Sequence, residues 1–149
     1  MPHITQKMEA GPLTFDVGTN TVVGGQLVMS MTGGFIAPTT SATTKCLGVA
    51  LDDAKPLAGQ AVDGTVGVQG GGGVTSAIVR STTAVASEGV YRLTYSVAAA
   101  FGDLLVADTA GKVKPYTAGT TTFDQIVGRC VEPLGVLINA RGRTRLELF

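Results

Sequence analysis

The chain repeats itself, and this restricts its fold more than any other feature of the 149 residues. Gly25-Gln26-Leu27-Val28 returns as Gly102-Asp103-Leu104-Leu105. At the same offset Thr32, Gly34, Ile36 and Pro38 meet Thr109, Gly111, Val113 and Pro115. Thr-rich segments follow in both copies, over 39–44 and 117–122. After a three-residue insertion Gly48 meets Gly128, and the alternating Val66-x-Val68 meets Leu146-x-Leu148. Each copy reads as strand, Gly turn, short strand ending at Pro, Thr-rich loop, strand with an internal Gly, loop and closing strand.

Helical periodicity is nearly absent. Short Val, Thr, Leu and Ile runs over 26–31, 46–51, 65–69, 74–80, 90–96, 104–107, 126–131 and 145–149 predict strands, separated by Gly33-Gly34, Asp63-Gly64, Glu88-Gly89 and Ala110-Gly111 turns. A short helical turn fits only 96–101. The expected fold class is therefore all-β. A unit of five short strands exposes its edges and buries little surface alone. Two related units, over about 21–80 and 97–149, are expected to share a Val, Leu and Ala core as a small barrel or sandwich within a β domain spanning 21–149. Residues 1–20 lie outside the repeat and are expected to form an extended N-terminal arm. The alternative is a first strand packed on its own body. With five Phe, three Tyr and no Trp, the core gains little from large side chains, which favours further burial by oligomerisation.

Catalytic chemistry finds little to work with. The one histidine, His3, sits at the N-terminus, which removes most His-based catalysis and any multi-His metal site. There is no G-x-S-x-G elbow, and the two cysteines are too few for a zinc site. Cys46 and Cys130 lie in apolar strand contexts and read as buried free thiols in preference to a disulfide. The glycine run 70–73 precedes a strand-like segment and no Gly-Lys-Ser/Thr, so it reads as a hairpin and not a phosphate loop. Asp52 and Asp53 are neighbours whose carboxylates diverge on a strand, so they read as turn formers. Tyr91 and Tyr95 share strand parity, which fits paired core tyrosines better than a sugar platform. No enzymatic activity and no cofactor are expected.

Charge is balanced at 11 basic and 11 acidic residues, and only 15% of the chain is charged. That argues against nucleic-acid binding, which needs a basic excess. The uncharged stretch 17–44 is broken by Gly, Thr and Pro38 and does not read as a membrane span. Residues 1–10 contain no apolar core of a signal peptide, so synthesis in the cytoplasm is expected. One charge pattern has a shape: Arg141, Arg143 and Arg145 alternate, which places three guanidiniums on one face of a strand. They make a possible partner-facing basic face, or a solvated edge protected by charge.

The repeated G-x-L-V, the Gly-x-Ile/Val-x-Pro segments over 34–38 and 111–115, the Thr-rich loop, and the strands 47–50 and 126–130 resemble the small capsid decoration (cement) proteins of tailed bacteriophages, a group that includes duplicated β units. The resemblance covers residues 25–149. It implies a structural virion protein, made in the host cytoplasm, that binds the outer surface of the expanded capsid as a homotrimer. There it stabilises contacts between subunits of its partner, the phage major capsid protein. By position it makes the N-terminal segment a capsid contact, with Ile4, Lys7, Met8, Leu13 and Phe15 as the candidate residues. The alternative is another β-rich virion part, a head-fibre base or a tail-tube protein.

Overall fold

The computed structural model describes residues 11–57 and 80–148, and the fold is all-β. Ten strands follow in chain order: β1 (Leu13–Asp16), β2 (Leu27–Ser30), β3 (Ile36–Pro38), β4 (Cys46–Ala50), β5 (Thr82–Ala86), β6 (Glu88–Thr94), β7 (Leu104–Ala107), β8 (Val113–Pro115), β9 (Ile126–Cys130) and β10 (Arg141–Glu147). They form two five-stranded antiparallel sheets, ordered β1-β5-β4-β2-β3 and β6-β10-β9-β7-β8, and neither closes into a barrel. Adding five to each strand number of the first sheet gives the second.

The two sheets agree in detail. Val28 pairs with both Gly48 and Pro38, as Leu105 pairs with both Gly128 and Pro115, and each sheet has a bulge at the next residue. Gly25 N–H donates to Ala50 O (2.7 Å) where Gly102 N–H donates to Cys130 O (2.9 Å). Thr39 N–H donates to Leu27 O (3.0 Å) where Tyr116 N–H donates to Leu104 O (2.7 Å). The loop bridge Val22–Ala54 has its counterpart in Ala99–Val136. Gly48 and Gly128 are required by close approach: a Cβ on either would meet the carbonyl oxygen of Ala86 or Arg145, at 2.2 and 2.1 Å.

Three details differ from the sequence expectations. β1 is not part of a free arm. From Leu13 the chain is the edge strand of the first sheet, with Val17 buried and its N–H donating to Ser81 O (2.9 Å). Each sheet thus takes in a strand N-terminal to the matched segments. The closing strand of the first sheet is β5, so Thr82–Ala86 and not 66–68 is the counterpart of β10. Thr82, Thr83 and Val85 favour a strand, but the two Ala leave the run without the clear apolar alternation that marks one. Residues 96–101 form bends and a bridge, not a helical turn. The expected strand 65–69, nearly all of 74–80 and the glycine run 70–73 lie outside the described residues.

Each unit has its own core. Val17, Val22, Val28, Ile36, Ala50, Ala54 and Val85 pack together in the first. Leu93, Tyr95, Ala99, Leu105, Val113, Val127, Cys130, Val136 and Leu146 pack together in the second. Because successive strand residues point to opposite faces, Leu27, Val49 and Ala86 leave the far side of the first sheet, and they join the second unit's core. Around this join, Thr39 Oγ1 donates to Asp108 O (2.8 Å), Ala42 N–H to Ala107 O (2.9 Å) and Gln26 Nε2 to Ala110 O (3.1 Å).

Asp108 organises the polar rim of the join. Its carboxylate accepts from Ser96 Oγ (2.5 Å) and Lys114 Nζ (3.1 Å), and Lys114 also donates to Ser41 Oγ of the first unit (2.6 Å). Partial burial acts to raise the Asp108 pKa. The hydrogen bonds from Ser96, Lys114, the Thr109 N–H and Ser41 outweigh it and hold the carboxyl below its ordinary value. The stabilisation from a depressed carboxylate is complete above its unfolded pKa and is lost as pH falls through the folded one.

Two predictions follow from this architecture. Gly48→Ala and Gly128→Ala will each destabilise the chain by about 1–3 kcal/mol, the scale of overpacking in a tight site, as read by urea unfolding. Equal stability in either variant contradicts the close approach. Asp108→Asn will cost about 1–2 kcal/mol at pH 7, from lost charge-assisted hydrogen bonds, and this penalty will shrink in acid as the wild-type carboxylate protonates. A penalty independent of pH contradicts the assignment.

Candidate attachment surface

β10 alternates strictly. Gly142, Thr144 and Leu146 face inward, and Arg141, Arg143, Arg145 and Glu147 face outward. Sheet register brings more arginines beside them: Arg92 of β6 lies opposite Arg143, and Arg129 of β9 lies opposite Arg145. Five arginines therefore share the outer face of the second sheet, with the Arg141 guanidinium lying against Gly25 of the first unit. Like charges placed directly opposite each other in a sheet are destabilising, so this arrangement works against the fold that carries it.

Carboxylates compensate part of the face. Arg143 donates from Nη2 to Glu132 Oε1 (3.1 Å), and from Nε and its backbone N–H to Oε2 (3.3 and 3.2 Å). These bonds hold the Glu132 pKa below its ordinary value and raise that of Arg143. Arg145 pairs with Glu147 (3.0 Å), and Arg129 Nη1 donates to Gly102 O (3.2 Å). Arg92 and Arg141 make no ion pair among the described residues.

The first unit supplies an internal comparison. The positions equivalent to Arg92, Arg129, Arg141, Arg143 and Arg145 are Thr14, Val49, Thr82, Ala84 and Ala86, fixed by the matched registers and by the paired bonds Leu51 N–H to Ala84 O and Val131 N–H to Arg143 O. None is charged. In the first unit this face is partly buried in the join, whereas in the second it is exposed and basic.

The other sequence candidates separate. Leu13 is exposed at the sheet edge and Phe15 packs against the first core, so neither shares a sheet with the arginines. Ile4, Lys7 and Met8 lie outside the described residues. Tyr95 is fully buried with its hydroxyl on Thr144 Oγ1 (2.6 Å), and burial pushes its pKa well up. Tyr91 is half-buried against the same core, so the pair forms no open platform. Cys46 and Cys130 are free thiols, and burial raises Cys46 to about 11, far from a reactive thiolate. Asp53 Oδ1 accepts from Gly24 N–H (2.8 Å), a bond that ties two loops 29 residues apart and leaves the carboxylate in a structural role. Among the described residues no group of three His, Cys, Asp or Glu is placed to hold a metal, and no helix is long and apolar enough to cross a membrane.

No protein-family model matches the chain, and no curated protein matches it. Its fold is similar to the crystal structure of the N base of head fiber gp8.5 in bacteriophage phi29, with a TM-score of 0.57 and 14% identity over 91% of this chain and 94% of that one.

Proposed function

We propose that this chain is a non-enzymatic structural part of a tailed-phage virion that sits on the outer surface of the expanded capsid as a homotrimer and stabilises contacts between major capsid subunits. The observation that supports this best is a likeness that runs through both units: a head fiber base shares the fold over nearly the whole of both chains. The sequence resemblance to capsid decoration proteins supports the same virion reading. A decoration protein and a fibre base share one physical task, which is to grip a closed shell from outside by many fixed contacts and no chemistry. Clustering sites in a trimer multiplies modest affinities, because one engaged subunit holds the others at high effective concentration.

The neighbour's own name favours a second reading, in which the chain is itself the base of a head fibre. Both readings use the arginine face of the second sheet as the grip. Guanidiniums match carboxylates in paired, planar geometry and stay hydrated until the partner arrives. Ile4, Lys7 and Met8 are proposed as an additional contact.

Co-sedimentation with expanded capsids and with unexpanded procapsids tests this. The wild type is expected to bind expanded shells saturably and procapsids not at all. Arg92→Glu combined with Arg145→Glu will weaken that binding at least about tenfold and reduce its salt dependence. Absence of binding to either shell contradicts the proposal. Copy number then separates the readings, since a decoration protein covers the lattice and a fibre base occupies fewer sites.

A further inference from the structure

The second unit ends in two loops, 97–101 and 133–138, that contain no charged residue. Exposed on them are Val97 (48%), Phe101 (63%), Leu134 (100%), Leu137 (76%) and Ile138 (61%). Phe101, Leu134 and Leu137 line one open groove, at whose base the Asp103 carboxylate accepts from Ala100 N–H (2.8 Å). These loops are firmly built. Ala99 and Val136 exchange backbone hydrogen bonds of 2.9 and 2.8 Å, and Gly135 N–H donates to Glu132 O (2.9 Å). Val136 lies so close over Gly142 of β10 that a Cβ there would meet its Cγ2 at 2.1 Å. The apolar side chains are held in water by a scaffold that gains nothing from their exposure.

The equivalent loops of the first unit, joined by the Val22–Ala54 bridge, do not share this character. They too expose apolar residues, Val23, Leu51 and Leu57, but mix them with Asp52, Asp53 and Lys55. The second unit's tip is mainly apolar, with Asp103 and Glu132 only at the base of its loops, where the first unit has charged residues between its apolar ones. The five side chains expose on the order of 600 Å², at the upper end of the largest apolar patch on a typical monomer and near the roughly 800 Å² per partner of a standard interface.

We propose that this tip, Val97, Phe101, Leu134, Leu137 and Ile138, is where copies of this chain meet one another around a rotation axis. The inference deepens the homotrimer reading above and rests on it. Charge selects a second copy over the shell. An uncharged surface meets itself without repulsion, whereas the arginine face would oppose guanidinium to guanidinium. A permanent interface is also core-like, while a docking face must stay soluble before its partner is present. The apolar tip has the first character and the arginine face the second.

The test is sedimentation velocity of the full chain, as wild type, Leu134→Glu, Leu137→Glu and, as a control in the first unit, Leu57→Glu, with circular dichroism confirming the fold of each. Leu134 is wholly exposed, so its substitution leaves packing intact. The wild type and Leu57→Glu are expected to sediment as the oligomer, and both tip variants as monomers whose binding to expanded shells falls about 100-fold or more through lost multivalency. An oligomer that survives both tip substitutions overturns the tip as the interface and leaves the homotrimer standing. A monomeric wild type at its highest soluble concentration overturns both. A monomeric wild type whose shell binding is abolished by Leu134→Glu reassigns the tip to the capsid.

Discussion

Everything in this structure depends on how the first unit closes onto the second. Each five-stranded unit buries one face of its sheet over a small core of Val, Ala and Leu, which leaves the other face of the first sheet in need of cover. Leu27, Val49 and Ala86 obtain it by joining the second unit's core. Full burial of a Leu or Val contributes about 1.5–3 kcal/mol, comparable with a large share of the net stability of a small domain. The polar rim around Asp108, Lys114, Ser41 and Thr39 ties the two units together at the edge of the join, with each donor matched to an acceptor across it or beside it. The chain passes from β5 to β6 through the single residue Ser87, so the connection itself allows little freedom.

The join is not symmetric. The first unit uses the outer face of its sheet, while the second uses the turn after β7 and its own core. The equivalent outer face on the second unit is therefore left over, and it has changed chemistry, with arginine at the places of Val49, Ala84 and Ala86. The loop tips have diverged in the opposite sense, with Asp53 and Lys55 within the first tip and charge only at the base of the second, at Asp103 and Glu132. Each half of the molecule thus serves as a reference for the other. The places where matched backbone carries unmatched surface are those that a shared fold does not explain.

Much of this fold was legible in the sequence because its turns are cut by glycine and its short strands end at proline. Gly25 and Gly102, Gly48 and Gly128, and Pro38 and Pro115 locate β2 to β4 and β7 to β9 in matched sets. β5 was less legible, since its two Ala dilute the strand signal of Thr82, Thr83 and Val85 and its place follows from pairing with β4 and β1. β1 was visible as an apolar segment, but whether it pairs with its own sheet is a tertiary matter. The same limit governs the site. The alternation of Arg141, Arg143 and Arg145 is local and could be read directly. The convergence of Arg92 and Arg129 on that face depends on register between strands far apart in the chain. The apolar tip is not legible locally, because 97–101 and 133–138 are brought together only by the Ala99–Val136 pairing.

Two surfaces of different chemistry on one rigid body suit a part that must assemble with its own copies first and with a large preformed partner afterwards. The apolar tip brings the copies together, and the arginine faces are then held in fixed relation for engagement with the shell. The most direct test is a cryo-EM reconstruction of expanded capsids incubated with the purified protein. External density is expected in which the second unit's tips meet at a local symmetry axis and its arginine face lies against the major capsid protein. Density with that face turned to solvent and the tips apart, or no added density at all, would contradict it.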